Sequence, residues 1–308
     1  MSISRKQRSP LLRAAMAAWL AVGISATPSA TLSDETQLAA LQSATDAGRT
    51  QLNFGIVPQQ SASRLAKMWG PLMARLSDEL DVDIRFQTTK DIPTFEACLA
   101  AGTYDIAYMN PVHYTVFAEA SGYRAIARQA DKKLRGLLVV RKDSGIETLD
   151  DLSGADVAFP SPGAFGASVV PRAEMRARGI AFNPNYVKSH DSVYRAVAAG
   201  LMPAGGGVLR TFNAVSPEIR EQLRVLYRTE GYTPHAFALR SDLGEGLSSE
   251  LQRVLLEIGQ NAPELATAIG MQGFEQGADA DWDDIRALDL TTRDTGIETA
   301  GSLPCPSG

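Results

Sequence analysis

The sequence predicts an α/β protein of two lobes, each a mostly parallel sheet flanked by helices. Strand-like and helix-like segments alternate from Gln51 onward, and Gly or Pro closes most of them. The series is long enough for two such units, joined by crossover segments near Arg135–Lys142 and Thr229–Leu239. The last helices return to the first lobe. Lobe 1 therefore takes residues 50–138 plus 235–292, lobe 2 takes 139–234, and a polar tail at 293–308 is expected to be flexible.

The elements follow in order. Leu52–Val57 reads as a strand ended by Pro58, and Ser61–Leu80 carries Leu65, Met68, Leu72, Leu76 and Leu80 at helical spacing. Val82–Phe86 alternates as a strand. A helix over Thr94–Ala101 stops at Gly102, and Tyr104–Met109 is a strand ended by Asn110-Pro111, with a short helix through Glu119. Strands at Arg124–Arg128, Gly136–Arg141 and Asp156–Phe159 precede a helix over Ala167–Arg178. Asn185–Ser189 (strand), Ser192–Ala199 (helix), Gly205–Leu209, Pro217–Leu223 (helix) and Arg224–Tyr227 (strand) complete the second lobe. Past His235–Leu239, helices are expected at Ser248–Gly259, Ala262–Gly270 and Asp281–Leu288.

The first residues have a separate logic. Arg5, Lys6, Arg8 and Arg13 precede an apolar run from Ala14 to Ala26, and small residues continue to Ala30. That is the order of a secretory signal peptide, residues 1–30, with cleavage between residues 26 and 30 and export to the periplasm. The run is too short to span a bilayer.

Of 308 residues, 44% are hydrophobic and 21% charged, an ordinary globular composition. The net charge of −5 supplies no global basic field for nucleic acid, so any anion site must be local. Two cysteines, Cys98 and Cys305, make no disulfide framework, although an exported chain could join them. Three histidines and the absence of zinc or iron–sulfur spacings argue against a metal site, and no cofactor is implied.

In open α/β sheets, ligands bind beyond the carboxyl ends of strands, where helix N-termini point N–H groups at the crevice. Five strand ends stand out. Gln60, Ser61 and Ser63 precede a helix and can cap it or bond an anion. Tyr108 and Asn110 flank a sharp strand-to-helix turn; Tyr108 is either packed or a phenolic donor. The loop Pro160–Ser168 is rich in small residues, so Ser161, Gly163, Phe165, Gly166, Ala167 and Ser168 can bring backbone amides close to a ligand, or simply start a helix. In Ser189-His190-Asp191-Ser192, Asp191 or Ser192 can cap, leaving His190 to face the crevice as a donor. Three glycines at 205–207 imply close approach of another group, and Arg210 beyond them is either a fork for an oxyanion or a surface cation.

Five stretches in register, FGIVPQQ, FEACLAAGTYDIAYMNPVHY, FPSPGAFGAS, SHDSVYRAVAAG and AGGGVLRTF, resemble the phosphate/phosphite/phosphonate family of periplasmic solute-binding proteins, from about Leu52 to Gly259. The resemblance implies a type II periplasmic binding fold with a two-segment hinge closing on a tetrahedral anion. It maps the ligand loops onto Gln60–Ser63, Tyr108 and Asn110, Ser161–Ser168, and His190. Relatives that bind phosphite or phosphonate tend to place an acidic residue near the strand that here reads Gly206-Gly207-Val208, with Arg210 close by. A cation in place of an acceptor favours a more fully charged anion and leaves phosphate or arsenate open.

The expected function is capture of a small oxyanion by a monomer for delivery to an ABC permease. The alternative is an oxyanion sensor for a membrane histidine kinase, in which Cys98 would suit arsenite; otherwise Cys98 is a buried, inert thiol. A crevice enzyme acting on phosphate esters is the remaining class. It lacks a metal cluster, a Gly-x-Ser-x-Gly elbow and an acid–base carboxylate pair at the strand ends.

Overall fold

The computed structural model describes residues 49–298 and Cys305, which belong to one compact unit. The leader, residues 1–30, and its cleavage zone lie outside the described residues.

The chain begins with β1 (Gln51–Ile56), α1 (Ala62–Leu80), β2 (Asp83–Gln87), α2 (Ile92–Ala100), β3 (Ile106–Met109), α3 (Pro111–Ala120) and β4 (Tyr123–Gln129). The second lobe runs through β5 (Leu134–Arg141), β6 (Asp156–Phe159), a π-helical turn at Phe165–Val169 leading into α4 (Val170–Ala177), β7 (Asn183–Tyr186), α5 (His190–Ala198), β8 (Ala204–Val208), α6 (Leu209–Ala214), α7 (Pro217–Arg220) and β9 (Leu223–Tyr232). The return carries β10 (Ala236–Arg240), α8 (Glu245–Asn261), α9 (Pro263–Ala268), β11 (Phe274–Gln276), α10 (Asp283–Arg286) and α11 (Thr292–Thr295). None of the described helices is long and apolar enough to cross a membrane.

Two sheets result, one ordered β11-β4-β10-β3-β1-β2 and the other β7-β6-β8-β5-β9. The two-lobe α/β class holds, but the pairing is mixed rather than mostly parallel. Consecutive βα units give the parallel pairs β1·β2, β1·β3, β6·β7 and β6·β8. The pairs made by β4, β5, β9, β10 and β11 are antiparallel. The reason is that β10 re-enters the first sheet from the opposite lobe and so runs against β3.

The same geometry moves the first crossing. The first expected crossover segment, Arg135–Lys142, is itself strand β5, and the chain crosses just before it at 130–133; the second crossing, at 233–235, lies within the expected Thr229–Leu239. A boundary at residue 138 would cut β5, whose alternation places Leu138 and Val140 in one core and Leu137 and Val139 in the other. The expected strand at Asn185–Ser189 sits two residues earlier, and α6 and β11 were not foreseen.

The tail is not loose where it is described. α11 is helical, Thr295 and Ile297 are buried, and Cys305 is disulfide-bonded to Cys98, itself buried in α2. Arg172 on α4 donates to the carbonyls of Asp294 (2.6 Å) and Pro162 (2.8 Å), so the tail lies against the 161–168 loop.

The glycine run in β8 exists for contact within the protein. A Cβ on Gly206 would overlap the Ala167 carbonyl oxygen, and one on Gly207 would overlap the Tyr194 hydroxyl. The strand is thus pressed by the Phe165–Val169 turn on one face and by α5 on the other.

Candidate functional site

The carboxyl ends of β1, β3, β6 and β8 face one another across the lobe junction, each followed by a helical start. The enclosed crevice between them is lined by Val57, Gln59, Asn110, Phe165, His190 and His235, with Ile92, Ala164, Gly166, Ala167 and Val208 completing it. Its free space is about 10 Å³, room for roughly one water molecule. The lobes are therefore in a closed arrangement. Contacts across the junction hold it: Asn110 Nδ2 donates to the Gly163 carbonyl at 2.9 Å, and Arg64 on α1 donates to the Ala214 carbonyl at 2.7 Å and stands 3.8 Å from Asp191.

Each donor has a local cause. Asn110 caps α3 through its side-chain oxygen, which accepts from His113 N at 2.9 Å, and this turns the amide nitrogen toward the other lobe. Phe165, Gly166 and Ala167 open the helical turn, where no preceding turn exists to accept their N–H groups. Ser189, not Asp191 or Ser192, caps α5: its hydroxyl accepts from Ser192 N at 3.1 Å and leaves His190 at the first helical position.

His190 is neutral. Burial, with Arg210 nearby, lowers its pKa to about 3. Its Nδ1 lies 3.0 Å from Thr211 Oγ1, which is 2.7 Å from the Tyr194 hydroxyl. The single Thr211 hydroxyl proton has two acceptors in reach, Nδ1 and the Val208 carbonyl at 3.0 Å, which also lies 3.3 Å from the Tyr194 hydroxyl. When Thr211 donates to Nδ1, the ring proton sits on Nε2, the tautomer able to donate into the crevice. His235 is also held neutral, well below its ordinary pKa, by burial and then by Arg210. Gln59 Nε2 donates to its Nε2 at 3.0 Å, and Tyr108 stacks on its ring at 5.0 Å.

Arg210 on α6 reaches into lobe 1. It donates to the Tyr108 hydroxyl at 3.0 Å and to Gln59 Oε1, and it has no carboxylate partner within ion-pair distance among the described residues. It is neither a surface cation nor a free fork, but a bridge across the junction. Tyr108 is buried, which raises its pKa despite Arg210.

The sequence-expected residues thus divide. Asn110, Phe165, Gly166, Ala167 and His190 line the crevice, and Gln60, Tyr108 and Arg210 line a small cavity beside it. Gly163 touches Asn110 across the junction, where a Cβ would overlap Glu96. Ser161 Oγ and Gln60 Nε2 are buried without a hydrogen-bond partner among the described residues. Ser168 points elsewhere, accepting from Arg172 Nε at 3.0 Å inside lobe 2. Ser61 and Ser63 are exposed, 3.4 Å from each other, and Ser61 makes no side-chain cap.

Sequence reasoning passed over Gln59 and His235, although all three histidines, 113, 190 and 235, are buried. His113 Nε2 pairs with Glu96 Oε1 at 2.9 Å beside Gly163; burial pushes the Glu96 carboxyl up against the pull of that ring. Cys98 carries no free thiol, because it is bonded to Cys305. The reading of Cys98 as an arsenite ligand or an inert thiol is therefore corrected. No group of three or more His, Cys, Asp or Glu among the described residues could hold a metal.

Known proteins agree with this architecture. A probable ABC transporter phosphite-binding protein of Prochlorococcus marinus, PhnD1, is 23% identical over 67% of this chain and 77% of its own. The structure of that protein with methylphosphonate has a TM-score of 0.72 at 18% identity, covering 81% of this chain and 99% of that one. A binding-protein component of an ABC phosphonate transporter from Pseudomonas aeruginosa has a TM-score of 0.73 at 19% identity, covering 83% and 90%. The family model for periplasmic substrate-binding proteins of phosphonate ABC transporters matches residues 54–282, and the chain belongs to that family.

Proposed function

We propose that this chain captures a small tetrahedral oxyanion of the phosphate, phosphite and phosphonate class by hinge closure, and presents its closed form to an ABC permease. One observation carries the reading. Helix starts from both lobes meet at a crevice on which polar groups of both lobes (the Asn110 side chain, the His190 ring and the amides of 165–167) converge. Gln60 Nε2, in the small cavity beside it and without a hydrogen-bond partner among the described residues, fits the same purpose, since buried donors without partners are uncommon.

Closure leaves too little room for a ligand to pass, so the anion enters as the lobes part about the segments 130–133 and 233–235. It then bridges donors of both lobes and shifts the population toward the closed form, which the permease reads. Neutral histidines bind without adding charge, and Arg210 supplies a cation at the crevice wall. This favours the more fully charged form of the anion. The chain works as a monomer and turns over no phosphate ester.

A thermal-shift panel of methylphosphonate, phosphite, phosphate, arsenate, arsenite and sulfate tests the reading. A ligand at 100 times its dissociation constant adds about 2.7 kcal/mol of stability. A shift with one or more of the phosphorus anions supports the proposal; a flat response to all of them refutes it.

A further inference from the structure

Behind the crevice, on the hinge side, lies a second cavity of about 430 Å³, a size suited to part of a small molecule. It is bounded by residues of both crossing segments, and it shares Val208 and His235 with the crevice wall. Arg210 and Tyr108 stand in the same partition, with Arg210 reaching through to Gln59 on the crevice side. The other cavities of comparable size, near Cys98 and near Arg286, share no lining residue with the crevice.

The charge of this vestibule is one-sided. Lys132, Lys133, Arg135, Arg210 and Arg228 line it, against Asp131 alone. Only Lys133 has a carboxylate near it, Asp284 at 3.6 Å; Lys132, Arg135 and Arg228 form no ion pair among the described residues. In a chain of net charge −5, whose surfaces elsewhere mix both signs in pairs such as Arg253 with Glu250 and Glu257, this cluster is not a product of composition. Unopposed cations around a concavity concentrate anions.

The geometry points to a vestibule for a second anionic group carried by the ligand. On this inference, which rests on the proposed function, the preferred substrate is an organophosphonate or phosphate monoester with an anionic tail. Its head sits in the crevice, which has no space for a substituent of its own. Its short linker passes the Arg210–Tyr108 partition, where a long, flexible side chain can swing aside, and its tail meets Arg228 and Lys132.

Calorimetric titration of the mature chain tests this with methylphosphonate, propylphosphonate, 3-phosphonopropionate and propane-1,3-diphosphonate. The expected result is that at least one of the two tailed ligands binds about tenfold or more tightly than propylphosphonate, the factor that about 1.4 kcal/mol represents. The double variant Lys132→Gln/Arg228→Gln should lose that gain and keep the methylphosphonate affinity; both side chains are exposed, so folding is not at risk. Tailed ligands no tighter than propylphosphonate, or a gain that survives in the double variant, would overturn the vestibule while leaving the oxyanion reading intact. No binding of methylphosphonate, phosphite or phosphate to the wild type would overturn the oxyanion reading itself.

Discussion

Replacing Arg210 by Gln should cost a dianion more than a monoanion, and the structure sets the size of the difference. The guanidinium donates to Tyr108 and to Gln59, a crevice residue, so it stands about two hydrogen-bond lengths, roughly 6 Å, from the position of a bound anion. At an effective dielectric constant of about 20, each unit of anion charge at that distance gains about 3 kcal/mol. Arg210 is partly exposed, and halving the figure for solvent leaves about 1.5 kcal/mol, close to tenfold per unit charge. Methylphosphonate passes from monoanion to dianion near neutral pH, as phosphoryl groups do. Calorimetry from about pH 5 to 8.5 then reads the effect directly. His190 and His235 stay neutral throughout, so the protein's own histidines at the crevice add no proton exchange. Glu96, whose pKa is raised, is common to both proteins and cancels in the ratio. The variant should be about tenfold weaker at the acid end and about a hundredfold weaker at the alkaline end. A ratio that does not change with pH would refute the assignment of Arg210 to the anion's charge.

Other consequences are simpler to state. His190 is depressed to about 3 in the fold against 6.5 unfolded, so the unfolded chain binds the extra proton between those values. Stability is therefore complete above about pH 6.5 and falls as pH drops toward 3, by about 2 kcal/mol at pH 5 from His190 alone; denaturant unfolding at pH 7.5 and 5 reads it, and equal stabilities would contradict it. The Cys98–Cys305 bond closes a sequence separation of 207 residues, which a chain-entropy estimate values at about 5 kcal/mol as a ceiling and practice at about 2–4. Reduction should lower the unfolding free energy by an amount in that range, and no change would show that the bond adds nothing to the fold's stability. Thr211→Val keeps the shape but removes the partner of His190 Nδ1, so methylphosphonate affinity should fall by about 1–2 kcal/mol with far-UV circular dichroism unchanged.

Much of this architecture is legible in local sequence. Strand ends followed by small or polar residues mark helix starts, and Asn110, Phe165–Ala167 and His190 reach the crevice for that local reason. The glycine run also reads correctly as close approach, although the approaching groups are Ala167 and Tyr194 and not a ligand. What local pattern cannot carry is direction over distance. Ser168 looks like its neighbours until Arg172 claims it one helical turn on. Arg210 acquires its role by reaching across the junction to Gln59 and Tyr108, far away in sequence. His235 lies in a crossing segment, where no strand-end pattern applies. The first crossing was displaced because β5 belongs wholly to the second sheet, and pairing with β8 and β9 decides that. The tail reads as polar and loose, because the disulfide, the Arg172 contacts and the burial of Ile297 that fix its described part all depend on residues distant in sequence.

The central claim is that the anion is held between the lobes by Asn110 and His190. Titration of methylphosphonate into the wild type, Asn110→Ala and His190→Ala tests it most directly. The account predicts saturable one-to-one binding by the wild type and a loss of about 1–3 kcal/mol in each variant, from removal of a buried donor to a charged group. Wild-type affinity retained in both folded variants would place the anion somewhere other than this crevice.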